Sequence, residues 1–336
     1  MIRIFVSADW WWQDNVNSYL SYGQGPDQNM SYRSYIQLIV QEAKKYGLYV
    51  DFCPYEVVNY YSDGVSDGIP GSLGTASLNY MHTINPDEMQ AWHLWWTSVV
   101  TTIGQNPNVI FEMWNEPDDG TNTATSSTAA AYFNYTIQAY TTIRSTGNTN
   151  LIFMQWHASL VPTYTNLDWV PQLYNQLKNS IDSTLINLAF TTHPYRRAPA
   201  PNLQWATTYV GVKNQLNSPD MIPATRSNGI DVPLVFNEMG VMADPSIYNN
   251  DFYADAQLPE SNLSIDQKMQ NELSFWDAIL LNAKDMGVGV CAYYWMQTNV
   301  WWGWEALATG DWAANTASPM PSQAGQIFIN SYSVKS

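Results

Sequence analysis

Apolar residues come in short unbroken runs along this chain, and the stretches between the runs are longer and show helical spacing. The runs read as strands: "IRIFVS" from Ile2, "LYVDFCPYEV" from Leu48, "VIFEMW" from Val109, "LIFMQWHA" from Leu151, "LAFTTHPY" from Leu188, "PLVFNEMG" from Pro233 and "VGVCAYYWM" from Val288. In "SYRSYIQLIVQEAKKYG", Tyr32, Tyr35, Ile36, Ile39, Val40 and Ala43 form one helical stripe, and Gly47 closes it as a C-terminal cap. "NPDEMQAWHLWWTSVV" opens on Asn85 and Pro86, with Asp87 and Glu88 in its first turn. Trp92, Trp95 and Trp96 share a helical spacing there and read as packing residues. "DQKMQNELSFWDAILLNAKDMG" is a third helix, ending at Gly287.

Strands without polar alternation, alternating with helices, predict parallel strands covered by helices. Seven such units with no long linker predict one barrel domain over residues 1–336, an α/β fold of the (β/α)8 TIM-barrel class. The long loops from Thr121, from Arg196 and from Met242 to Leu263 all follow strands, on the face where barrel enzymes build their sites.

Composition narrows the function. Lys and Arg number 13 against 29 Asp and Glu, a formal charge of −16, so nucleic acid and anionic membranes are poor partners. No apolar run reaches the ~18 residues of a bilayer span. Sixteen Trp and 22 Tyr exceed what a core needs and point to surfaces for flat, weakly charged ligands. Cys53 and Cys291 lie in strand runs and read as buried free thiols. His82, His93, His157 and His193 are scattered and form no metal motif, and no glycine-rich phosphate loop is present; no cofactor is expected.

Polar residues then stand where strands run out: Asn115 and Glu116, His193 and Tyr195, Asn237 and Glu238, and Trp295, with Arg3 inside the first strand. "WNEP" at Trp114 to Pro117 and "FNEMG" at Phe236 to Gly240 resemble the two glutamate motifs of clan A glycoside hydrolases. "HPY" at His193 to Tyr195, "IRI" at Ile2 to Ile4 and "YYWM" resemble further elements of glycoside hydrolase family 5, the cellulase and mannanase family, in the right order. The resemblance implies Glu116 as acid/base and Glu238 as nucleophile. It implies Arg3 and Tyr195 as groups favouring ionised Glu238, and Asn115 as donor to the sugar 2-hydroxyl. His193 would orient the cluster, and Trp295 would be a sugar platform. Two carboxyls of opposite protonation state are what glycosidic cleavage requires, with a spacing of about 5 Å for retention. Rim tryptophans, among them Trp11, Trp301 and Trp302, read as further stacking platforms, and His157 as either a subsite or a packing residue.

One position departs from the family. A His is common at the end of its third strand, whereas "DFCPYE" puts Cys53 there, with Tyr55 or Glu56 as possible substitutes. The Arg3 motif belongs to the family's second strand, so the family's first strand and helix are expected to lie outside residues 1–336. The leading expectation is a retaining, endo-acting β-1,4-glycanase on cellulose or β-glucan. A β-mannanase, an exo-acting glycosidase and a carbohydrate-binding barrel without activity are the alternatives. A polymeric substrate implies secretion, with a signal peptide outside these residues; "NMS" at Asn29, "NYT" at Asn134 and "NLS" at Asn262 are glycosylation sequons.

Overall fold

The structure is a computed structural model. It describes residues 1–7, 11, 14, 30–55, 86–115, 127–156, 160, 166–181, 185–196, 205–227, 229–230, 232–242, 263–292, 304–305, 308–309 and 320–332.

Strands β1 (Ile2–Ser7), β2 (Val50–Tyr55), β3 (Val109–Glu112), β4 (Ile152–Gln155), β5 (Leu188–Thr192) and β6 (Leu234–Phe236) follow one another along the chain. After the two-residue β7 (Val241–Met242) comes β8 (Gly289–Val290). Seven of these form one sheet in the order β1-β2-β3-β4-β5-β6-β8. The pairs β1–β2, β2–β3, β3–β4 and β6–β8 are parallel. Parallel neighbours joined through helices are the repeat of a (β/α)8 barrel. Helices α1 (Tyr32–Lys45), α2 (Pro86–Ile103), α3 (Ser127–Ser145), α4 (Trp169–Ser180), α5 (Tyr209–Leu216), α6 (Ile222–Thr225), α7 (Ile265–Asp285) and α8 (Gln323–Tyr332) complete the described elements, with short strands β9 (Trp304–Glu305), β10 (Ala308–Thr309) and β11 (Met320–Pro321). Among the described residues no helix is long and apolar enough to cross a membrane.

Two compact units share these elements: Met1–Ala158 with Gln172–Phe190, and Ser159–Pro171 with Thr191–Ser336. In the first unit, strand periodicity sorts side chains onto two faces. Register pairs Arg3 with Asp51, Phe5 with Cys53, and Phe52 with Phe111. Phe52 and Phe111 face α2, where Phe52 lies 5.9 Å from Trp95 and Phe111 lies 6.0 Å from Trp96. Trp92, Trp95 and Trp96 are buried, as their spacing predicts. The opposite face carries Arg3, Asp51, Cys53 and Glu112, so this sheet puts a polar cluster behind an aromatic wall.

Helix ends match the sequence signals. The Ser31 hydroxyl accepts from the Ser34 amide at the start of α1. Beyond its end, Gly47 at φ +67° turns the chain so that the Leu48 amide reaches the Ala43 carbonyl at 2.9 Å. In the second unit, Ser264 and Gln267 form a reciprocal capping box at the start of α7, and Gly287 at φ +65° follows its end.

Candidate active site

In the first unit the polar face of the sheet centres on Arg3. Its guanidinium grips Glu112 with two hydrogen bonds, Nε to Oε2 at 2.7 Å and Nη2 to Oε1 at 2.9 Å. Nη2 also donates to Asn115 Oδ1 at 2.8 Å and reaches Cys53 Sγ at 3.4 Å. Asp51 Oδ2 stands 3.7 Å from Nε. Asp51 and Glu112 are both fully buried, and the Arg3 side chain is only 10% exposed. Two carboxylates in such a place need the guanidinium beside them, since an unpaired buried charge costs several kcal/mol. Burial raises the Cys53 thiol well above its ordinary pKa, the Glu112 charge adds to this, and Arg3 opposes it.

In the second unit, β5 runs out into His193, Pro194 and Tyr195, and β6 into Asn237 and Glu238. The Tyr195 hydroxyl donates to Glu238 Oε1 at 2.5 Å. His193 Nδ1 lies 3.8 Å from Glu238 Oε2, and its ring is buried. Glu238 is 7% exposed and Asn237 is 3% exposed, so β6 ends in a nearly enclosed carboxylate held by a phenol. The next residue along, Arg196, makes a buried ion pair with Glu272 of α7 at 3.1 Å. This fastens the turn that carries Tyr195 to the helix behind it.

The structure thus places Arg3 beside Asn115 in one unit, and His193 and Tyr195 around Glu238 in the other. Glu116, Trp295, Trp301 and Trp302 lie outside the described residues, as do Trp10, Trp12, His157 and Glu56. Trp11 corrects the expectation made for it. It is fully buried, its indole N–H donates to Ser98 at 3.0 Å, and Phe52 and Trp95 pack against it at 5.8 and 6.4 Å. Enclosed by Phe52, Trp95 and the Arg33 guanidinium, which lies 5.9 Å from its ring centre, it packs the interior and offers no stacking platform. Neither Cys53 nor Cys291 is in a disulfide; Cys53 is buried, while Cys291 is part-exposed rather than buried. The sequence reading passed over Asp51 and Glu112, although a single acid inside an otherwise apolar strand is itself the signal of a charge buried for a partner. Among the described residues no three His, Cys, Asp or Glu side chains gather as a metal site.

A model of the cellulases, glycosyl hydrolase family 5, matches residues 1–282. Among solved structures, the chain resembles a family 5 enzyme from Prevotella bryantii in complex with a xyloglucan tetradecasaccharide. That match has TM-score 0.59 and 15% identity, over 98% of this chain and 82% of the other. A family 5 xyloglucanase from Paenibacillus pabuli matches with TM-score 0.56 and 17% identity, over 98% and 86%. A broad-specificity endoglucanase from Bacteroides salanitronis matches with TM-score 0.57 and 15% identity, over 93% and 79%. No curated protein matches the chain in sequence.

Proposed function

The chain belongs to glycosyl hydrolase family 5, and from that premise we propose a retaining, endo-acting β-1,4-glucanase that works with Glu238 and Glu116. One observation carries the reading: Glu238, nearly enclosed at the end of β6, accepts a 2.5 Å hydrogen bond from Tyr195. A donor on a carboxylate favours its ionised form, and an ionised, oriented carboxylate is a nucleophile. In the first step Glu238 attacks the anomeric carbon while Glu116 gives its proton to the departing glycosidic oxygen. In the second, Glu116 takes a proton from water, the water displaces Glu238, and the sugar leaves with its original configuration. Asn115 donates to the 2-hydroxyl beside the reacting carbon. Trp295, Trp301 and Trp302 serve as stacking platforms for a chain of sugars.

A β-1,4-linked glucan backbone is the proposed substrate, plain or carrying side chains. The Prevotella relative is bound to xyloglucan and the Paenibacillus relative is a xyloglucanase, which makes a decorated glucan worth including in any test. A polymer of this size does not enter cells, so the proposed place of action is outside them.

The test is hydrolysis of carboxymethylcellulose, barley β-glucan, xyloglucan, xylan and mannan with product lengths recorded, together with two variants. Glu238→Ala is expected to lose activity by roughly 10³-fold or more, with azide yielding a glycosyl azide of inverted configuration. Glu116→Ala with azide should yield the retained product. An active Glu238→Ala variant, or retained product from it, defeats the assignment; turnover of mannan alone replaces glucan as the substrate.

A further inference from the structure

Asn115 is useful to a sugar hydroxyl only if its amide presents the NH2 end, and an asparagine amide can turn over. The surroundings of Asn115 decide which way it faces. A guanidinium is all donor and no acceptor, so the amide atom that meets Arg3 Nη2 at 2.8 Å has to be the oxygen. The NH2 is thereby turned away from Arg3 and kept as a donor. This holds only while Arg3 stays in place, and Arg3 is held by Glu112 through the paired bonds of 2.7 and 2.9 Å. Glu112 is fully buried, three residues before Asn115, at the end of β3. Its carboxylate is matched to the guanidinium edge as two acceptors facing two donors. Asp51, also fully buried and 3.7 Å from Nε, adds a second negative charge on the same side.

We infer that Glu112 is a positioning residue that acts through Arg3 to fix the Asn115 amide with its NH2 toward the substrate, so that the protein reads the 2-hydroxyl of the sugar at the bond being cut. Glu112 touches no substrate in this scheme. Neutralising it to an amide replaces one of the two acceptors with an NH2 that faces guanidinium donors. The fork then opens, Arg3 shifts, and Asn115 loses the contact that holds its orientation.

The inference rests on the glycoside hydrolase reading, and the experiment separates the two. An aryl β-cellobioside and its analogue lacking the 2-hydroxyl on the sugar that bears the aryl group are compared by kcat/KM for wild type, Asn115→Ala, Glu112→Gln and Arg3→Lys. The ratio between substrates does not depend on how much of a variant is folded. Asn115→Ala should lower the ratio by removing the donor. Glu112→Gln and Arg3→Lys, which keeps the charge but lacks the fork, should lower it similarly, by about 10- to 100-fold, the range that a misplacement near 1 Å produces. Equal losses on both substrates, or no loss, in Glu112→Gln overturn the positioning role, and Glu112→Asp, which keeps the charge but shortens its reach to Arg3, decides the matter if Glu112→Gln does not fold. A wild-type protein that cleaves neither glycoside overturns the β-glucanase reading, and the positioning role falls with it. Selective loss in Asn115→Ala alone leaves the enzyme reading standing and removes Glu112 from it.

Discussion

Cys53 stands where the resemblance to family 5 leads one to look for a histidine, and its surroundings make it a neutral group. An imidazole there could carry a positive charge close to Arg3; a thiol pushed well above its ordinary pKa by burial and by Glu112 carries no charge at neutral pH. Arg3 therefore remains the cation of the cluster, 3.4 Å from the sulfur. A consequence appears on the alkaline side. In the unfolded chain the thiol ionises around pH 8.5, whereas in the folded protein it keeps its proton to higher pH. Between those two values the native state holds a proton that the unfolded state releases, so stability is present below about pH 8.5 and falls as pH rises, by up to ~1.4 kcal/mol per pH unit. Cys53→Ser removes this titration while keeping a small polar side chain. Urea unfolding at pH 8, 9 and 9.5 should show a shallower decline for Cys53→Ser than for wild type; parallel declines would sink the argument.

At the scale of elements, α2 and the strands it covers show why packing was readable in advance and where reading failed. Trp92, Trp95 and Trp96 recur at helical spacing, and each is buried against the others: Trp92 stacks on Trp95 at 5.4 Å and Trp96 meets Trp95 edge-on at 4.8 Å. Trp11 carries no such periodic signal. Its position just after a strand pointed to the rim, but the same aromatic cluster takes it in, because burying a large flat apolar ring is strongly favourable. Glu238, Tyr195 and His193 were legible because strand ends in a parallel sheet converge on one edge. Glu112 and Asp51 were not, because an acid inside a strand reads as an interruption of the apolar pattern until its partner is known. The tryptophans also differ in how their N–H groups are served. Trp92 donates to the Tyr135 carbonyl at 3.0 Å, whereas Trp95 Nε1 is buried without a hydrogen-bond partner among the described residues. Replacing Trp92 by Phe removes a donor to the Tyr135 carbonyl and shrinks the ring; replacing Trp95 by Phe removes a polar group that was not satisfied. Trp92→Phe is expected to cost about 1 kcal/mol more than Trp95→Phe, measured as the difference in denaturant midpoints at equal m-value. An equal or reversed order would show that ring volume alone sets the cost.

For the whole molecule the governing quantity is charge: 29 acidic side chains against 13 Lys and Arg, or −16. Such an excess keeps a protein in solution and apart from polyanions, and it also strains the compact state by self-repulsion. Among the described residues the ion pairs that could oppose it range from exposed to buried, with Arg33–Asp14, 3.7 Å apart and 30% and 33% exposed, in between. Lys45–Glu42 is exposed on both sides and contributes at most a few tenths of a kcal/mol. Arg3–Glu112 and Arg196–Glu272 are buried, where salt reaches them poorly. Added salt therefore screens repulsion spread over the surface more than it weakens the buried pairs. The Debye length shrinks from about 30 Å at 0.01 M to about 8 Å at 0.15 M. The melting temperature at pH 7 should rise as sodium chloride goes from ~0.01 to ~0.15 M. The rise should shrink towards pH 4.5, because protonation of surface carboxylates has by then removed most of the repulsion. For the same reason the protein should remain folded in mild acid rather than lose stability there. A melting temperature that falls with salt at pH 7 would mean that exposed ion pairs, and not the excess of carboxylates, dominate the surface.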